Sequence, residues 1–174
     1  MKLADRCKNV RLILSDVDGV LTDGGVIFDN QGIETKRFHI RDGLGIRLWQ
    51  RVGHRFGILT GRTSHVVQVR ATELGIDIVR QGFDDKLPVA MQLFEELQLT
   101  AEEVCYIGDD LTDLPVIRRV GLGVAVADAA SEVAAAAHLT TKARGGEGAV
   151  REVVEMILKA QQRWDDLVQK FDAG

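Results

Sequence analysis

The sequence predicts an α/β fold: a parallel sheet with helices on both faces and a β-hairpin inserted after the first strand. Three observations predict it. Short apolar runs recur near Leu12, Ile58, Ile78, Cys105 and Val124, the form taken by strands buried on both faces. Stretches with helical spacing of apolar residues lie between them, the alternation expected of a parallel sheet with crossover helices. Polar, chemistry-capable residues cluster where four of these segments end or turn. In open parallel sheets, ligands bind beyond the carboxyl ends of the strands.

Arg11–Leu14 opens the sheet and runs into Ser15-Asp16-Val17-Asp18-Gly19. Gly19 permits a sharp change of direction, and Thr22-Asp23-Gly24 reads as a further turn. Residues 24–40 predict the hairpin, two β-prone runs flanking Asp29-Asn30-Gln31-Gly32. A lone hairpin is marginal in water. Its exposed edges, and apolar residues such as Phe28 and Phe38, therefore predict that it packs on something, a neighbouring subunit included. Asp42 is a candidate N-cap for a helix that Gly53 ends. Arg55–Thr60 is the second strand, and Ser64 is the expected cap of a helix reaching Leu74. Asp77–Arg80 is the third strand, followed by a helix over Lys86–Leu97. Val104–Ile107 is the fourth strand, and Thr112–Val120 a short helix with Pro115 in its first turn. Gly123–Val126 is the fifth strand, Ala129–Ala137 a helix and His138–Thr141 a short edge strand. Ala143–Gly148 reads as a flexible loop whose glycines permit closure over a ligand, a plain connector being the alternative. Ala149–Phe171 reads as one amphipathic helix and Asp172–Gly174 as a frayed end. With no repeat or compositional break, residues 1–174 are expected to form a single domain.

At 174 residues the chain can bury a sizeable core. Its 45% apolar and 28% charged residues are those of an ordinary globular protein. A net charge of −4 argues against a generally basic nucleic-acid surface. The N-terminal residues lack a signal-peptide core, and no apolar run has the length of a membrane span. The expectation is a cytoplasmic protein with no membrane or nucleic-acid partner. Cys7 and Cys105 cannot make a zinc site alone, and Cys105 reads as a buried free thiol. The four histidines show no metal-ligand spacing.

The chemistry lies in four segments: Asp16 with Asp18, Thr60-Gly61-Arg62, Lys86, and Asp109 with Asp110. Asp16 and Asp18 lie two apart on an extended segment and point to one side. Two such carboxylates repel unless a cation sits between them, and Mg²⁺ takes one or two carboxylates plus phosphate oxygens. The rim then holds the inventory of phosphoryl transfer. Asp16 is assigned as nucleophile and Asp18 as the acid and base. The Mg²⁺ ligands are assigned to Asp16, Asp109 and the backbone carbonyl of Asp18. Thr60 and neighbouring N–H groups hold phosphoryl oxygens, and Lys86 supplies positive charge. Arg62 can grip a substrate carboxylate through two bonds. Each residue also has a structural alternative: Thr60 a helix cap, Lys86 a surface lysine, Asp109-Asp110 a turn, Arg62 a salt bridge. Asp42 belongs near the metal or the hairpin base if it is more than a cap.

Asp16-Val17-Asp18-Gly19-Val20-Leu21-Thr22, Thr60-Gly61-Arg62, Lys86 and Gly108-Asp109-Asp110-Leu111-Thr112-Asp113 resemble the four motifs of the haloacid dehalogenase superfamily phosphatases. The resemblance spans roughly Arg11 to Glu155. It implies a Rossmann-like fold, Mg²⁺ dependence, an aspartyl-phosphate intermediate and a supporting role for Asp113. No room exists for a cap domain beyond the hairpin. The chain is thus similar to the capless subgroup that acts on phosphorylated acidic keto-deoxy sugars, as in lipopolysaccharide-type sugar biosynthesis. Matching segments include Arg41-Asp42-Gly43, Gln81-Gly82-Phe83 and Gly145-Gly146-Glu147-Gly148. The subgroup implies a homotetramer in which hairpins meet and a neighbouring subunit closes the site. Arg62 favours the eight-carbon substrate, 3-deoxy-D-manno-octulosonate 8-phosphate, over a nine-carbon 9-phosphate. A different class stays open: a non-catalytic assembly module of the kind fused to sugar-nucleotide synthetases. A phosphoacceptor domain fails on the order of its acidic residues, and a P-loop hydrolase lacks its motif.

Overall fold

Leu12, Ile13 and Leu14 are fully buried, because their strand lies inside a six-stranded sheet covered on both sides. The computed structural model describes residues 1–172. In chain order the elements are α1 (Leu3–Asn9), β1 (Leu12–Ser15), β2 (Ile27–Phe28), β3 (Glu34–Thr35), α2 (Ile40–Arg51), β4 (Arg55–Thr60), α3 (His65–Leu74) and β5 (Ile78–Gln81). There follow α4 (Lys86–Glu96), β6 (Val104–Gly108), α5 (Leu114–Ile117), β7 (Leu122–Ala125), α6 (Ser131–Ala136), β8 (Leu139–Thr140), α7 (Ala149–Ala160) and α8 (Trp164–Asp172). The sheet runs β5-β4-β1-β6-β7-β8, every pair parallel, and β2 and β3 form a separate antiparallel hairpin. Strand order reverses between β1 and β6. That reversal opens a crevice for ligands at their carboxyl ends.

Alternate side chains enter two cores. Ile13, Cys105, Ile107 and Val124 pack with residues of α1, α2, α3, α7 and α8. Leu12, Leu14, Val104 and Tyr106 pack with α4, α5 and α6. Two covered faces are why these strands read as unbroken apolar runs.

Several expectations change in detail. Seven residues before the sheet form α1, seated through buried Cys7. His39, not Asp42, caps α2, accepting from the backbone N–H of Arg41. Asp42 is buried inside that helix's first turn, and its Oδ1 accepts from Arg151 N of α7 at 2.8 Å. It therefore caps a helix more than a hundred residues away, satisfying an N–H that the helix itself cannot. Ser64 stands at the N-cap of α3 without bonding it, its hydroxyl donating instead to Glu34. Thr112–Val120 becomes a 3₁₀ turn (Leu111–Asp113) followed by α5, with Pro115 in its first turn.

The single C-terminal helix is two. Gln162 takes a left-handed φ of +57°, and the Gln161 side chain turns back to Cys7 O (3.1 Å) and Val10 O (2.8 Å). Those bonds tie the break to the start of the sheet. Asp172 continues α8; Ala173 and Gly174 of the expected frayed end lie outside the described residues. Phe28 is exposed, but Phe38 packs against the core. The Arg144–Gly148 loop is docked rather than open: Gly145 N donates to Asp128 Oδ1 (2.9 Å) and Gly146 N to Val20 O (2.9 Å). A Cβ on Gly145 would stand 1.7 Å from Gly19 O, so this glycine serves close approach.

Replacing Asp42 with alanine removes the cap of α7. A loss of about 1–2 kcal/mol is expected, read as a melting temperature lower by roughly 2 to 8 °C. An unchanged melting temperature contradicts the capping role.

Candidate active site

Asp16 follows β1 directly. Its N–H donates to Ile107 O at 3.0 Å, so the sheet's hydrogen bonding with β6 continues through it. The chain then coils, with the N–H groups of Val20, Leu21 and Thr22 all on Val17 O. Gly19 has φ +92°, and a Cβ there would lie 2.0 Å from Asp109 Oδ2. Only glycine lets the Asp109 carboxylate come this close to the β1 turn. Gly108 plays the same part on the other strand, where a Cβ would meet Asp113 Cβ at 2.5 Å.

Carboxylate oxygens of Asp16, Asp109 and Asp113 all lie within 4.8 Å of one another. Into this group projects one cation. Lys86, from the start of α4, is fully buried, with Nζ 2.9 Å from Asp16 Oδ2 and 2.6 Å from Asp113 Oδ1. The surface-lysine alternative therefore fails. Asp16 Oδ1 accepts from Val17 N at 2.7 Å, so both its oxygens are oriented.

Asp113 is fully subscribed. Oδ1 accepts from Lys86 and from Tyr106 Oη (2.6 Å), and Oδ2 from Asp109 N (2.9 Å) and Asp110 N (3.3 Å). Although close enough to hold a metal, it is an anchor for Lys86 and for the Asp109 loop. Asp109 Oδ1, by contrast, is buried with no hydrogen-bond partner among the described residues.

Three carboxylates against one ammonium leave an excess of negative charge out of water. Burial pushes the Asp109 carboxyl up to about 8, helped by the charges of Asp113 and Asp16. Burial and Asp113 push Asp16 up to about 6 despite the pull of Lys86. For Lys86, burial works downward but Asp16 and Asp113 prevail and raise it. An orphaned buried carboxylate oxygen amid uncompensated negative charge fits a hard divalent cation, which binds oxygen ligands. Asp16 and Asp109 could hold it.

The other expected residues take separate places. Thr60 is buried at the end of β4, and its carbonyl accepts from Gly82 N and Phe83 N. Gly61 follows, where a Cβ would meet Asp84 Oδ1 at 3.5 Å and Phe83 O at 3.8 Å, ordinary contact distances. Asp110 turns away and caps the 3₁₀ turn through Leu111 N (2.7 Å). Asp18 gives no carboxylate to the acidic group; its Oδ1 accepts from Lys36, and its Oδ2 lies 3.8 Å from Arg62 Nη1. The Arg62 side chain is 38% exposed, with Nη2 2.7 Å from Glu34 Oε1. Asp42 sits at the α2–α7 junction. Sequence reasoning passed over Tyr106, Glu34 and Lys36. The one tyrosine of the chain, in an otherwise aliphatic strand, was a signal, since a buried hydroxyl needs a partner.

Comparison with known proteins agrees with this geometry. Residues 69–153 match the haloacid dehalogenase-like hydrolase family. The chain is 48% identical over 158 residues to 3-deoxy-D-manno-octulosonate 8-phosphate phosphatase KdsC of Yersinia pestis, covering 91% of this chain and 84% of that protein. It is 44% identical over 161 residues to the KdsC phosphatase of Escherichia coli K12, covering 92% and 86%. The crystal structure of the corresponding phosphatase from Moraxella catarrhalis, in complex with magnesium, phosphate and KDO, superposes with a TM-score of 0.95. There the identity is 42%, with 97% of each chain covered.

Because Asp16 and Asp109 are raised on folding, their protonated forms favour the metal-free fold. That contribution is full below about pH 4 and is lost as pH rises through about 6 and 8. The metal-free melting temperature should fall between pH 6 and 9, and less steeply in Asp109→Asn. Added Mg²⁺ should stabilise more at pH 8.5 than at pH 6, since its ligands must shed their protons. A flat metal-free profile, or an Mg²⁺ effect independent of pH, contradicts this electrostatic arrangement.

Proposed function

The chain belongs to the haloacid dehalogenase-like hydrolases, and on that premise we infer a Mg²⁺-dependent phosphatase acting on 3-deoxy-D-manno-octulosonate 8-phosphate. The observation that carries this reading is one buried lysine held between two carboxylates at the β1–β6 crevice, beside an unpartnered third. Relatives matching nearly the whole chain bear that activity in their names.

Asp16 is the nucleophile. Its carboxylate oxygen forms a bond to phosphorus as the bond to the sugar oxygen breaks, giving an aspartyl phosphate. Asp18 gives its proton to the leaving alkoxide, then takes one from the water that cleaves the acyl phosphate. Lys86 orients Asp16 and lends positive charge to the transferring group. Thr60, Gly61 and the N–H groups beside them hold phosphoryl oxygens. Magnesium, when bound by Asp16, Asp109 and the Asp18 carbonyl, supplies charge that offsets repulsion between carboxylates and phosphate. Asp113 and Asp110 support the Asp109 loop. Arg62 binds the sugar carboxylate, exchanging Glu34 for it.

The single domain spans 1–174 and assembles with copies of itself as a homotetramer. Val26, Ile27, Phe28 and Ile33 of the hairpin are each more than half exposed, which supports a covered face. The enzyme works in the cytoplasm, a reading supported by two free thiols. No described helix is long and apolar enough to cross a membrane.

Steady-state kinetics on the eight- and nine-carbon keto-deoxy sugar phosphates test the function. The eight-carbon substrate should lead by about tenfold or more in kcat/KM, the size of one discriminating contact. Arg62→Ala should lose about 30- to 100-fold on the sugar acid, the value of a charge-assisted pair. On an aryl phosphate without a carboxylate the loss should be about threefold or less. Equal losses make Arg62 a phosphate contact. Inactivity on both sugars favours an assembly module.

A further inference from the structure

The hairpin is built inside out. Val26, Ile27, Phe28 and Ile33 are exposed, while Lys36, just after β3, has a side chain only 1% exposed. A lysine is almost never this buried unless paired. Lys36 Nζ donates to Asp18 Oδ1 and lies 3.3 Å from Glu34 Oε1. Glu34 is anchored in turn, with Oε2 accepting from Ser64 Oγ and Oε1 2.7 Å from Arg62 Nη2. Ser64 and Arg62 belong to the β4–α3 connection. The ammonium is thus held by Asp18 and by Glu34, and Glu34 keeps its bond from Ser64 when Arg62 turns to the substrate. The Arg62–Asp18 separation of 3.8 Å is longer than a hydrogen bond. Among the described residues, Lys36 is therefore the one side chain that hydrogen-bonds the Asp18 carboxylate.

A carboxylate that passes a proton to a leaving oxygen and recovers one from water must keep its direction to well under an ångström. We propose that Lys36 is a positioning residue for Asp18, fixing the direction in which that carboxylate faces the phosphoryl group on Asp16. This rests on Asp18 as the acid and base. It gives the inserted hairpin a part in the chemistry: the hairpin that leaves Val26, Ile27, Phe28 and Ile33 exposed also carries, just after its second strand, the group that aims Asp18.

Lys36→Gln and Lys36→Arg test it, with Asp18→Asn and the Lys36→Gln/Asp18→Asn double variant as references. All are assayed in the Mg²⁺-loaded enzyme on the eight-carbon sugar phosphate. Lys36→Gln should lower kcat about tenfold or more, leave KM within about twofold, and keep the melting temperature and assembly of the parent. Lys36→Arg, which keeps the charge with displaced donors, should recover part of kcat. The double variant should be no slower than Asp18→Asn alone, because the two act as a unit. The proposal is overturned if Lys36→Gln keeps kcat within about twofold while Asp18→Asn is inactive, or if its loss follows a lowered melting temperature or raised KM. A double variant slower than Asp18→Asn overturns it too. If Lys36→Gln does not fold, Lys36→Arg decides: intermediate kcat at parental melting temperature supports the role, and parental kcat overturns it. An active Asp18→Asn overturns the acid–base assignment itself, a separate failure.

Discussion

The buried ammonium of Lys86, held between Asp16 and Asp113, is the contact on which the rest of the site depends. Burying an ion pair is seldom a route to stability, because the desolvation of both partners offsets their attraction. Here the imbalance is greater, since the cation faces more carboxylate than it can neutralise. What keeps the arrangement is the number of groups that fix Asp113: a lysine, a tyrosine hydroxyl and two backbone N–H groups. One carboxylate thereby sets both the cation beside Asp16 and the loop that carries Asp109. The unresolved negative charge collects on Asp109, where a divalent ion is the physical remedy. Such perturbed groups in a cleft mark a functional site rather than a stability device.

The fold makes this crowding possible through backbone economy. The strand-order reversal opens the space between β1 and β6. Gly19 lets Asp109 approach the turn after β1, and Gly145 lets a distant loop close over the carbonyl of Gly19. The hairpin then descends from the same turn, so the charged groups at the Asp18 carboxylate come from the hairpin, through Lys36, and from the residues after β4, through Arg62.

Much of this was legible in the chain. The Asp16–Asp18 pair, Thr60, Lys86 and Asp109 are polar residues stranded at the ends of apolar runs, and the alternation of strand and helix brings those ends to one rim. The helix caps were less legible. Asp42 has the right type and position to cap its own helix, yet it serves α7, because tertiary packing places an unsatisfied N–H within its reach. The break at Gln162 carries no glycine or proline. It is set by the side-chain bonds of Gln161 to α1 and the start of the sheet, partners that no local window contains. Glu34 and Lys36 look like ordinary solvated charges on a hairpin. Only the contacts with Ser64, Arg62 and Asp18 reveal that the polar side of the hairpin faces inward.

The most direct test is anomalous diffraction from crystals soaked in Mn²⁺, a substitute for magnesium with the same preference for oxygen ligands. A single peak at the β1–β6 crevice is expected, bonded to carboxylate oxygens of both Asp16 and Asp109 at about 2.0 to 2.3 Å, with Asp113 still turned toward Lys86. A peak held by other residues, or one that touches Asp113 while Asp109 stays apart, contradicts the idea that these two aspartates share one cation.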